Sequence, residues 1–105
     1  MKLKLAVAAL IMALSAMSAM ATKNATATGC TQDSHSATVA INYADSVTDK
    51  IQAEVQKAFA DTAASMTAER LRTREGYDSF ISKLSEEDKS AIEGFDGLSF
   101  GDSCK

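Results

Sequence analysis

A chain of 105 residues with two cysteines has room for one small domain. Its formal net charge of -3 excludes nucleic-acid recognition through a bulk positive field. With His35 as the only histidine, no two-histidine metal motif or catalytic relay is available, and we expect no catalytic residue, metal or cofactor.

Residues 1–21 read as a cleaved signal peptide: Lys2 and Lys4 open it, an apolar run follows from Leu5 to Ala16, and Ala19-Met20-Ala21 supplies a small-residue cleavage site. The run falls short of the roughly 20 strongly apolar residues of a spanning helix, so no stable membrane anchor is expected. Ala27-Thr28-Gly29-Cys30 superficially resembles a lipobox, but Lys23 and Asn24 separate it from the apolar run. Asn24-Ala25-Thr26 fits a glycosylation sequon, which matters only in a eukaryote. Periplasmic or extracellular export places the cysteines in an oxidising compartment, where two allow a single intramolecular bridge, Cys30 to Cys104.

The material for a core is thin. From Thr22 onward, Val, Ile, Leu and Phe make up 14 of 84 residues, and nine basic residues face fourteen acidic ones. That apolar share lies under the roughly 20% below which disordered chains are found, although their high net charge is absent, so stability should lean on the bridge, a partner, or both.

Residues 22–36, rich in Thr, Ala, Ser, Asn and Gly, read as a flexible leader, and residues 37–105 as a single small helical domain. The segment Thr38 to Tyr43 alternates in the manner of a strand, but without a second alternating run to pair with, it is assigned to a helix spanning about 38–66. Val47, Ile51, Val55, Ala58, Phe59, Thr62, Ala63 and Met66 fall on one face of that helix. Asp33, Ser34 and Ser36 are its candidate N-caps. After Gly76, Tyr77, Phe80, Ile81 and Leu84 define a second helix. Ser85, followed by Glu86, Glu87 and Asp88, opens a third, with Ala91, Ile92 and Phe95 as its buried side and Gly94 or Gly97 as its stop. The Gly-rich tail then returns Cys104 to Cys30. The expected fold is all-α: a small helical hairpin or irregular three-helix bundle closed by one disulfide.

Cys30, Asp33 and His35 offer three potential zinc ligands at a spacing that matches no zinc motif, and oxidation removes the thiolate. Arg70, Arg72 and Arg74 form the one basic cluster; on a continuous helix Arg70 and Arg74 share a face and Arg72 turns away. If the thin core leaves aromatic side chains uncovered, Tyr77, Phe80, Phe95 and Phe100, with Arg70 and Arg74, form the expected surface for a protein partner. The leading expectation is a small exported, non-enzymatic binding protein, an inhibitor or immunity-type factor acting on a secreted or cell-wall-acting protein. The alternatives are a periplasmic acid-stress holdase and a secreted host-directed effector.

Overall fold

The computed structural model of the protein describes residues 22–104, so the expected signal peptide lies outside the described residues. Strands β1 (Thr22–Cys30) and β2 (Ser36–Ala44) pair as an antiparallel hairpin. Four helices follow, α1 (Asp49–Ala64), α2 (Ala68–Leu71), α3 (Arg74–Ser82) and α4 (Glu86–Ala91). Strand β3 (Ile92–Phe100) then returns antiparallel to β2, giving a three-stranded sheet in the order β1-β2-β3. The all-α expectation is therefore wrong: the chain is an α/β fold with its helices layered on a sheet.

The partner that the alternating segment lacked in the sequence lies on both sides of it. In β2, Ala37, Val39, Ile41 and Tyr43 all point inward and are buried. Their neighbours on β1 are Gly29, Ala27, Ala25 and Lys23 in turn, with Asn24, Thr26 and Thr28 facing away. This is a strand pattern, but its apolar members are so small that they carry little hydropathic signal, and the stretch expected as a leader is in fact β1. In β3 the period of two is broken twice, because Glu93 and Asp96 are extra residues in the ladder with β2. The glycines expected to stop a third helix, Gly94 and Gly97, lie within this strand, and Phe95 belongs to it also.

The helical expectations fare better further along. Ile51, Val55, Ala58, Phe59, Thr62 and Ala63 form the buried face of α1. The helix starts later than expected, with Thr48 accepting a hydrogen bond from the Ile51 amide in place of any cap at 33–36. Ser85 caps α4 by accepting from the Asp88 amide, as its position suggested. Between them the chain breaks at Thr67 and again at Thr73, each an N-cap residue, so 66–74 is a turn, the one-turn α2 and a second corner.

Small side chains set the depth of the helical layer. A Cβ placed on Gly29 would lie 2.9 Å from Ala63 Cβ and 3.0 Å from Ala60 Cα, so α1 packs nearly backbone to backbone against β1. Gly76, buried in α3, is pressed against the Leu71 carbonyl in the same way. The core between the layers contains Val39, Ile41, Tyr43, Val55, Phe59 and Phe80.

The hairpin turn is a hydrogen-bonded hub. Thr31 Oγ1 donates to Asp33 Oδ1 at 2.6 Å and accepts from the His35 amide at 3.0 Å, and Ser34 adopts a positive φ of 66°. Asp33 Oδ1 also accepts from the Ala68 amide at 3.1 Å, and the Gln32 amide donates to the Met66 carbonyl at 2.9 Å, which fixes the start of α2. The tail is tied to the same turn. His35 Nδ1 donates to the Gly101 carbonyl at 3.0 Å, the Cys104 amide donates to the Ser34 carbonyl at 2.7 Å, and Cys104 is bonded to Cys30, with Cα atoms 5.7 Å apart.

The bridge closes 74 positions of chain, for which the chain-entropy relation gives a stabilisation of about 4 kcal/mol. A Cys30→Ser, Cys104→Ser double variant should therefore lose about 4 kcal/mol in urea unfolding at pH 7, a large part of a small domain's stability. Unchanged stability would show that the turn and tail hydrogen bonds suffice without the bridge.

Candidate functional site

The helical layer does not cover the sheet evenly. The inward residues of β2 are buried, whereas Ile92, Phe95, Leu98 and Phe100 of β3 are only partly buried against the core. What remains between β3 on one side and α2 and α3 on the other is an apolar groove of about 290 Å³. Its floor is Val39, Phe59 and Phe80, its helical wall Leu71, Gly76 and Tyr77, and its sheet wall Phe95 and Leu98.

An aromatic chain runs from the core to the rim of this groove. Phe59 and Phe80 meet edge to face with centroids 5.4 Å apart, Phe80 and Phe95 at 5.9 Å, and Phe95 and Tyr77 at 6.0 Å. Tyr77 ends the chain with 49% of its surface exposed, the one large apolar residue so exposed among those described. The Tyr77–Phe95 pair forms a ridge, beyond which Ile81, Leu84 and Ile92 line a second hollow of about 250 Å³.

At the other end stands Arg72, its guanidinium 5.1 Å above the centre of the Phe100 ring. Arg70 is paired with Glu75 and Arg74 with Asp78, whereas Arg72 has no carboxylate within ion-pair distance among the described residues. Asp96, also at the groove, is bonded to Asn42 Nδ2 at 3.0 Å.

Of the residues expected to form a binding surface, Tyr77, Phe80 and Phe95 come together here, Phe80 as buried floor and Tyr77 as exposed rim. Phe100 lies just outside, beneath Arg72. Arg70 and Arg74 are exposed and engaged with acids of their own neighbourhood. Arg72, Leu71 and Leu98 complete the site without having been anticipated. A continuous helix turns Arg72 away from its neighbours; the break at Thr73 directs it to the groove instead. The two bulges of β3 hid the alternation that places Leu98 beside Phe95.

The cysteine, aspartate and histidine of the hairpin turn are each used structurally: Cys30 in the bridge, Asp33 on Thr31 and Ala68, His35 on Gly101. The Thr31 hydroxyl, with the Ala68 amide, holds the Asp33 carboxyl below its ordinary pKa. A contrasting acid pair joins α1 to α4. Asp88 is 4% exposed and its Oδ1 has no hydrogen-bond partner among the described residues. It faces Glu54, whose carboxyl it raises above the ordinary value, first by favouring a shared proton and then, after burial, as a like charge; Lys50 opposes this more weakly.

No family model matches this chain, and neither a curated protein nor a solved structure matches it.

The two acids have opposite consequences for stability. Because the folded state raises the Glu54 pKa, ionised Glu54 opposes folding at neutral pH, and that opposition fades as pH falls to the ordinary glutamate value of 4.5. The Asp33 contribution has the reverse sign, present at neutral pH and lost as pH falls through its lowered value. Glu54→Gln should therefore unfold at a higher urea concentration than the parent at pH 7, with the difference closing toward pH 4.5. Urea midpoints at several pH values test this; a variant less stable at pH 7 would mean that the Lys50 pair dominates.

Proposed function

We propose that the chain is a small exported, non-enzymatic binding protein, an inhibitor or immunity-type factor that acts on a secreted or cell-wall-acting protein and meets it through the groove beneath β3. One observation carries this reading. The inward residues of β2 are buried while those of β3 are not, so the fold leaves an apolar strip with a half-exposed tyrosine at its rim. In soluble proteins such a strip marks a contact surface, and a tyrosine on a rigid aromatic support suits an interface anchor. The Cys30–Cys104 bridge favours an oxidising destination. No helix among the described residues is long and apolar enough to cross a membrane.

The acid-stress holdase is the less supported alternative. Acid relieves the Glu54–Asp88 contact while it removes the Asp33 contribution at the hairpin turn, so the two carboxyl groups do not act together to open the fold at the pH at which such a chaperone works. The supply of bulky apolar side chains is also small.

Capture of the C-terminally tagged protein from its host, run beside Tyr77→Asp and a Thr26→Ser control on the outer sheet face, tests the assignment. We expect one partner in one-to-one ratio with the parent and the control, and recovery reduced about tenfold or more with Tyr77→Asp. Undiminished recovery with a folded Tyr77→Asp protein would remove the groove from the interface.

A further inference from the structure

The two edges of the sheet are treated differently. On β1, the side-chain amide of Gln56 accepts from the Thr28 amide at 2.9 Å and donates to the Thr28 carbonyl at 2.7 Å, occupying the place where a neighbouring strand would bond. On β3, the bulges at Glu93 and Asp96 interrupt the first half of the strand. From Gly97 to Phe100 the register is unbroken, from Gly97 opposite Ala40 to Phe100 opposite Ala37. Among the described residues no strand pairs with the outer side of this segment.

The groove opens beside Gly97 and Leu98, from which Ser99 and Phe100 continue toward Arg72, and space around Gly97 is clear: a Cβ there would meet nothing within 4 Å. An extended chain laid along this edge would turn alternate side chains toward the groove, about 7 Å apart. One would enter the apolar hollow, and the next on that face would come toward Arg72, the arginine of the cluster left without a carboxylate.

We propose that Gly97–Phe100 takes up an extended segment of the partner protein as a fourth strand, with a large apolar side chain in the groove and an acidic side chain two residues away on Arg72. This rests on the groove being the binding site. An internal acidic side chain is favoured over a chain terminus because the surface continues past Arg72 onto an open shelf of Leu98, Ser99 and Phe100, with no wall to stop a chain. A second copy is a poorer occupant, since two chains that each carry fourteen acidic against nine basic residues from Thr22 onward repel overall, whereas an acidic partner segment complements Arg72.

The test is selection of phage-displayed random heptapeptides on the oxidised protein, followed by titration of the winning sequences as acetylated, amidated peptides. We expect a large apolar residue two positions from Asp or Glu. Affinity should fall about tenfold on changing that acid to its amide or on Arg72→Gln, with little further loss when both are changed. Amide hydrogen exchange should slow at Gly97–Phe100 in the complex. Peptides weakened by Tyr77→Asp but indifferent to Arg72→Gln, with no slowing at Gly97–Phe100, would overturn strand addition and leave the groove in place. Binding indifferent to Tyr77→Asp would overturn both. A requirement for a free C-terminal carboxylate, failure to enrich any sequence, or a concentration-dependent dimer disrupted by Tyr77→Asp would each overturn the proposal, the last in favour of a second copy.

Discussion

The close approach of α1 to β1 determines the layout of the molecule. Gly29, Ala60 and Ala63 leave no room for side chains between helix and strand, so the longest helix sits hard over one side of the sheet. A helix is about 10 Å wide with its side chains and strands lie about 4.8 Å apart, so a helix drawn toward β1 cannot also cover β3. The remaining helices are short. They seal Phe80 and Leu84 but leave Phe95, Leu98 and Phe100 partly open. The groove is thus the other side of the tight packing at Gly29.

A layer built this way has few large side chains to hold it, and the structure compensates with polar ties concentrated in one turn. Thr31, Asp33 and His35 connect the hairpin to α2 and to the tail, and the bridge lies beside them. This end of the molecule joins residues near 30, 67 and 104, the three places where the chain changes direction or leaves the sheet. The opposing end relies on α4, where the buried Asp88 faces Glu54. The ionised Asp33 carboxyl favours folding at one end and protonation of Glu54 relieves the other, so these two acids act in opposite directions as pH falls.

What the sequence conveyed depended on side-chain size and on continuity of period. The face of α1 was legible because Ile51, Val55 and Phe59 are large and regularly spaced, and the Ser85 cap because three acids follow it. The bridge followed from having two cysteines in a chain whose start was read as an export signal. The sheet was not legible. β1 alternates Ala with Thr, a contrast too weak to distinguish from a loop, and β3 shifts phase at Glu93 and Asp96, so its large residues mimic a helical spacing. The Tyr77, Phe80 and Phe95 grouping was read from composition and appears in the structure for a different reason: Phe95 reaches the other two from a strand. Arg72 was lost because its direction depends on a helix break at Thr73 that charge and composition do not announce.

The treatment of the edges bears on where this protein can meet another without aggregating. An exposed strand edge pairs indiscriminately unless something interrupts it. Gln56 occupies the edge of β1 at Thr28, and the acidic bulges distort the first half of β3, after which Gly97–Phe100 combines regular geometry with a side that no described strand pairs. That stretch is four residues long, flanked by Asp96 and by the guanidinium of Arg72. Backbone pairing over so short a length supplies little affinity by itself, so any occupant must also satisfy the aromatic hollow and the unpaired cation. On the strand-addition proposal, selectivity follows from the side-chain recognition that stands beside this short edge.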